Sequence, residues 1–62
     1  GMGSSTAYWG VTFSRGGPVG LDGVALDYVP HGGGWLWEES GGDNWSRVIR
    51  LEENWYLYEM HF

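Results

Sequence analysis

Apolar and polar residues alternate with a period of two along most of this chain. In the first segment Ala7, Trp9, Val11 and Phe13 fall on one side, and smaller or polar residues fall on the other. This period is typical of a strand with one buried face. Interrupted by turn-forming residues, it predicts five strands, at residues 6–14, 19–29, 35–39, 45–51 and 55–62. No segment shows the 3.6-residue period of a helix.

The connections between the predicted strands are short and rich in glycine, proline, asparagine and aspartate. Such connections suit hairpins better than the long crossovers that parallel strands need. The sequence therefore predicts an all-β fold, a small antiparallel meander of about five strands. We expect it to be curled or closed into an SH3-like barrel, because a flat sheet would leave one face wet. Architecture of this kind does not specify a function.

The chain has room for one domain. Its 62 residues are too few for a second hydrophobic core, so residues 6–62 are predicted to form a single small β domain. Gly1 before Met2 resembles the remnant of a removed tag, and residues 1–5 are predicted to be that remnant and a disordered tail.

Aromatic residues are unusually frequent, with five Trp, four Tyr and two Phe among the 62 residues. A domain of this size buries only about 60% of the surface of its unfolded chain, so it usually needs a disulfide, a metal or a partner chain. Cysteine is absent, which excludes disulfides and thiolate metal sites. We therefore predict that part of the aromatic surface is buried against another chain, most simply in a homo-oligomer.

The last predicted strand is apolar on both sides, so one side can serve the core and the other an interface. The predicted core side contains Trp55 and Leu57, together with Ile49 of the preceding strand. The predicted interface consists of the four residues on the other side of the last strand, namely Tyr56, Tyr58, Met60 and Phe62.

The alternative function is that of a small-ligand binding module. Exposed Trp and Tyr rings stack on sugars or form cages for cations. Tyr28, Trp35 and Trp37 flank the glycine run at residues 32–34 and are the predicted binding residues for a carbohydrate or a small aromatic or cationic ligand.

Catalysis is the least favoured hypothesis. The string at residues 31–34, His-Gly-Gly-Gly, matches an oxyanion-hole motif, but the Gly-x-Ser-x-Gly nucleophile motif that should accompany it is absent. Glu59 and His61 share one side of the last strand, where the carboxylate can orient the imidazole, but no motif selects a nucleophile. No catalytic residue, metal ligand or cofactor is predicted.

The charge of the chain narrows the choice of partners. Its net charge is −5, with eight acidic residues and three arginines. Binding to nucleic acid or to anionic membranes depends on clustered Lys and Arg, so neither partner is predicted. A second copy or another protein is the expected partner. The absence of cysteine and of a signal-peptide pattern favours the cytoplasm.

Overall fold

The computed structural model describes residues 6–62, and the predicted tag remnant and tail at residues 1–5 lie outside that range. The described chain is all-β, as predicted, with one 3₁₀ turn at Leu21–Gly23. Its five strands are β1 (Ala7–Phe13), β2 (Val29–His31), β3 (Gly34–Glu38), β4 (Trp45–Glu52) and β5 (Trp55–His61).

The strands form one antiparallel sheet in the order β1-β5-β4-β3-β2. Strands β2 to β5 follow one another as a meander, whereas β1 lies beside β5 and not beside β2 as a complete meander requires. Thr6 and Phe62 exchange two backbone hydrogen bonds of 2.9 Å, which bring the two ends of the described chain together. The predicted antiparallel five-stranded sheet is therefore confirmed, with a different strand order.

Closure of the sheet into an SH3-like barrel is not observed. Within residues 6–62, β1 and β2 are the two edges of the sheet, and no ladder of hydrogen bonds joins them. Strand β2 has only three residues, so it offers little backbone for a closing ladder. One face of the sheet is covered by a loop segment instead.

The predicted second strand at residues 19–29 is wrong except at its last residue. The backbone N–H of Gly20 donates to the carbonyl of Val24 at 2.9 Å, and this local turn interrupts the extended conformation. Residues 18–28, here called the crossing segment, run across the sheet without pairing in it. The apolar side chains of this segment alternate along the sequence as in a strand, but in the structure they pack onto the sheet and cover one of its sides.

The turn between β2 and β3 explains the glycine run. Gly32 and Gly33 have φ values of 56° and 84°, the left-handed conformation that a two-residue hairpin of type I′ needs at both positions. His31 and Gly34 pair on either side of this turn. The His-Gly-Gly-Gly string is therefore accounted for as a hairpin.

The core lies between the sheet and the crossing segment. Val48 of β4 is fully buried, and Tyr56, Tyr58 and Met60 of β5 are buried beside it. The residues that pack partly buried against these four are Leu21, Leu26, Tyr28, Trp35 and Phe62. The backbone N–H of Leu21 also donates to the sulfur of Met60 at 3.2 Å, which ties the crossing segment to the sheet.

The two sides of β5 were separated correctly by the period of two, but the predicted core side was wrong. Trp55 and Ile49 are exposed to 44% and 40%, and Leu57 is half-buried. Tyr58, predicted for the interface, is only 8% exposed. The physical reason is the crossing segment, which covers the side of Tyr56, Tyr58 and Met60 and leaves the other side without a cover.

Candidate interaction surface

The uncovered side of the sheet is a continuous surface across all five strands, here called the open face. The antiparallel register places its side chains in rows, since directly opposed residues point to the same side. One row consists of Trp9, Glu59, Arg47, Leu36 and Val29. Further members of the open face include Ala7, Val11, Phe13, His31, Glu38, Trp45, Ile49, Trp55, Leu57 and His61.

Strand β1 turns its apolar side outward. Trp9 is 62% exposed, and Val11 and Phe13 beside it are about half exposed. The inward side of the same strand carries Tyr8, Gly10 and Thr12, which oppose the core residues of β5. A strand with one solvated side usually directs its apolar side chains to the core, so the outward apolar side of β1 is an unusual feature of this sheet.

The apolar area of the open face is large for a chain this small. An aromatic side chain has roughly 200 Å² of surface and an aliphatic one roughly 100 Å². Scaled by the exposed fractions of its large apolar residues, the open face presents roughly 450 Å² of apolar surface. Patches of this size on monomers are often functional.

His61 lies between two tryptophans on the open face. Its ring stacks on Trp45 with centroids 4.1 Å apart and planes 10° apart, and it makes a T-shaped contact with Trp9 at a centroid distance of 5.7 Å. Its Nε2–H donates to Glu59 Oε2 at 2.7 Å. The predicted juxtaposition of Glu59 and His61 is thus present, and it orders one edge of the open face.

A shallow hollow lies near the centre of the open face. It is lined by Trp9, Arg47, Ile49, Leu57 and Glu59 together with Tyr58 at its floor, and its volume is about 170 Å³. Pockets for drug-sized ligands measure roughly 300–1,000 Å³, whereas a cavity of about 150 Å³ holds a benzene ring. The hollow is therefore suited to one aromatic side chain or a group of that size.

Arg47 stands at the wall of this hollow with its charge uncommitted. Across β5 it opposes Glu59, but the carboxylate of Glu59 is bound to His61. Within residues 6–62 the guanidinium of Arg47 forms no ion pair and no ring contact. An unpaired guanidinium beside an apolar hollow can bind the face of an aromatic ring.

Three of the four residues predicted for the interface lie in the core. Tyr56, Tyr58 and Met60 are in the core, and Phe62 is half-buried with its ring 6.2 Å from that of Tyr8. The sequence prediction missed Trp9, Val11 and Phe13 as exposed residues. The signal that could have found them was Gly10, which leaves the inward side of β1 without a side chain exactly where a bulky partner lies.

The residues of the predicted ligand site lie along the covered side of the sheet. The hydroxyls of Tyr28 and Ser46 are hydrogen bonded at 2.8 Å, and Trp37 opposes Ser46 in the sheet register. Trp35 contacts the edge of Tyr56 at 5.8 Å. The structure therefore brings the three residues to one side of the sheet, where Tyr28 and Trp35 pack against the core. Ligand binding by them stays a prediction.

The buried position of Tyr28 predicts a dependence of stability on alkaline pH. Burial raises the pKa of Tyr28 above its ordinary value of 10.0, and the hydrogen bond with Ser46 lowers it to a smaller extent. The folded chain thus favours the neutral phenol, so this stabilisation is complete below about pH 10 and is lost as pH rises through the folded pKa. As pH rises above about 10, the free energy of unfolding should therefore fall less for Tyr28→Phe than for the wild type.

Urea unfolding at a series of pH values measures this effect, and Tyr8→Phe is the matched control because Tyr8 is exposed. At neutral pH Tyr28→Phe should itself cost about 1 kcal/mol, since the buried hydroxyl of Ser46 loses its partner. Equal alkaline losses for the wild type and Tyr28→Phe would contradict the prediction.

No helix within residues 6–62 has the length and apolar character needed to cross a membrane. The same residues contain no group of three or more His, Asp or Glu side chains arranged to hold a metal ion. No protein-family model, curated protein or solved structure matches this chain. The open face is thus the feature on which a functional argument can be built.

Proposed function

We propose that this small β domain acts by protein–protein association and that the open face is its docking surface, with a second copy of the chain as the partner. The observation that carries the proposal is the outward orientation of the apolar side of β1, with Trp9, Val11 and Phe13 in solvent. Covering these residues removes apolar surface from water, which is the main driving force of association.

The size of the open face agrees with what a stable interface needs. A standard interface buries roughly 800 Å² on each partner, of which somewhat more than half is apolar. The roughly 450 Å² of apolar surface estimated from the aromatic and aliphatic side chains supplies that share. Arg47, Glu59 and His61 add polar surface, so the open face has the area and the composition of one half of a standard interface.

The residue types also agree with an interface. Tryptophan and arginine are enriched at interfaces, and lysine is depleted. The open face carries Trp9, Trp45, Trp55 and Arg47, and the chain contains no lysine. Rigid aromatic side chains lose little conformational entropy on binding relative to the area they bury, which favours them as the energetic centre of an interface.

The charges of the chain permit two copies to approach. Each copy has a net charge of −5, which opposes association. However, Arg47 opposes Glu59 at the centre of the open face, and Glu38, a further carboxylate of that face, lies away from the centre at the end of β3. Most other acidic residues lie in or next to the connections between strands, as do Glu39, Asp43 and Glu53. Repulsion between copies is therefore long-range and is weakened by salt.

Light scattering coupled to size exclusion tests the proposal. At about 100 μM, well above a micromolar Kd, the wild type should have twice the chain mass of 7.0 kDa. Ile49→Asp should remain folded and become monomeric, because association would bury an unpaired carboxylate at the centre of the open face. We expect its Kd to rise roughly a thousandfold, from micromolar to millimolar, so that the variant is monomeric at about 100 μM.

The matched control is Val24→Asp. Val24 is also an aliphatic residue, 48% exposed, but it belongs to the crossing segment on the other side of the sheet. It carries the same added charge and should leave the dimer intact. A wild-type chain that remains monomeric up to about 1 mM, the weak end of measurable affinity, would contradict association between copies.

A further inference from the structure

We infer that two copies of this chain pack face to face about a two-fold axis, with Trp9 of each copy inserted in the hollow of the other and lying on its Arg47. This inference rests on the proposed function and specifies how the open face binds its partner. A two-fold interface is built from the same residues on both copies, so each must supply both the inserted group and the site that receives it.

Trp9 is the residue that the open face offers for insertion. It has the largest exposed fraction among the large apolar residues of the described chain, at 62%. Within residues 6–62 its one ring contact is a T-shaped contact with His61, and most of the indole surface is available to a partner. An exposed aromatic of this kind is a typical anchor residue at the centre of an interface.

The hollow is the site that the open face offers to receive Trp9. Its volume of about 170 Å³ is suited to a single aromatic ring system. Its apolar lining comes from Leu57 and Ile49, and Arg47 provides a cation at the wall. Tryptophan is the best aromatic partner for a guanidinium, and the interaction strengthens when both groups are removed from water.

The position of Trp9 beside its own hollow makes the reciprocal arrangement feasible. Trp9 and Arg47 belong to one row and are separated only by Glu59 of β5, which is two strand spacings, or about 10 Å. A two-fold axis passing between Trp9 and the hollow carries each indole to the hollow of the opposite copy. Two sheets pack roughly 10 Å apart, a gap that an inserted indole spans.

Mixing two single variants tests the reciprocal contact. In the Trp9→Ala homodimer and in the Arg47→Ala homodimer, both Trp9–Arg47 contacts are broken. In the mixed dimer, Trp9 from the Arg47→Ala copy still meets Arg47 from the Trp9→Ala copy, so one contact is intact. The mixed dimer should therefore bind about fivefold more tightly than the geometric mean of the two homodimers, after statistical correction.

Native mass spectrometry of an equimolar mixture measures the three dimers, which differ in mass. Arg50→Ala is the matched control for Arg47→Ala, since Arg50 is an exposed arginine of β4 that opposes Tyr56 on the other side of the sheet. Mixed with Trp9→Ala it should give only the statistical population. Circular dichroism should show native folding for all three variants, because the three positions are exposed.

The outcomes separate this inference from the proposed function. Excess of the mixed dimer supports the reciprocal contact. If the mixed dimer forms only at its statistical fraction, the reciprocal contact is overturned. Association through the open face still stands in that case, provided that the wild type is dimeric and Ile49→Asp is monomeric. A monomeric wild type overturns both. A dimer that salt dissociates also contradicts the inference, because screening the −5 charges of two copies should strengthen their association.

Discussion

Tyr58→Asp is expected to abolish folding of the domain, whereas Ile49→Asp should leave it folded. Tyr58 is 8% exposed and stands in the core between Val48 of β4 and Gly10 of β1. An ionised carboxylate buried there without a partner costs several kcal/mol. A chain of 62 residues has a free energy of unfolding of about 3–9 kcal/mol, so the substitution removes most or all of that stability.

Far-UV circular dichroism and urea titration measure this difference directly. Tyr58→Asp should lack a cooperative transition at 25 °C, and Ile49→Asp should retain one. The two substitutions lie on different sides of one sheet. Tyr58 pairs with Val48 of β4 and shares its side, and Ile49, the next residue of β4, points to the other side. If Tyr58→Asp were instead a folded monomer, the sequence-based assignment of Tyr58 to an interface would be correct and the observed core would be wrong.

Gly10→Ala is expected to lower the free energy of unfolding by about 1–3 kcal/mol, the usual cost of forcing an extra group into a packed site. A Cβ at Gly10 would overlap the ring and hydroxyl of Tyr58, its cross-strand neighbour. The tyrosine ring is rigid and buried, so it has no easy displacement. The midpoint of thermal unfolding should fall by about 4–24 °C.

Gly16→Ala is the control, because a Cβ at Gly16 has nothing within 4 Å and its backbone is not left-handed. Its effect should stay within about 0.5 kcal/mol. The double variant Gly10→Ala with Tyr58→Phe should lose less than the sum of the two single changes, since the phenol oxygen is the atom closest to the added methyl group. Additive losses would show that Tyr58 is not what excludes a side chain at Gly10.

The candidate site was only partly predictable from the sequence. The aromatic surplus was readable from composition, and the juxtaposition of Glu59 and His61 from the period of two, whereas the expected partner chain stays a prediction. The hollow could not be predicted from the sequence, because it forms only when Trp9 of β1 and Arg47 of β4 lie on either side of β5. That neighbourhood depends on β1 pairing with the last strand, and alternation along a strand carries no information about which strand lies next to it.

The period of two was sufficient to place four of the five strands and to divide the residues of β5 into two sides. Local chemistry also accounted for the hairpin turns, as the left-handed conformations of Gly32, Gly33 and Asn54 show. These features depend on residues close in sequence, and sequence patterns report such features well.

Tertiary structure decided which side of the sheet is inside. Both sides of β5 are apolar, so the free energy of burial alone does not distinguish Trp55 and Leu57 from Tyr56 and Tyr58. The choice is made by residues 18–28, which leave the sheet and cover the side of Tyr58. One covering segment serves one side only. The opposite side, with Trp9 and Arg47, therefore remains exposed.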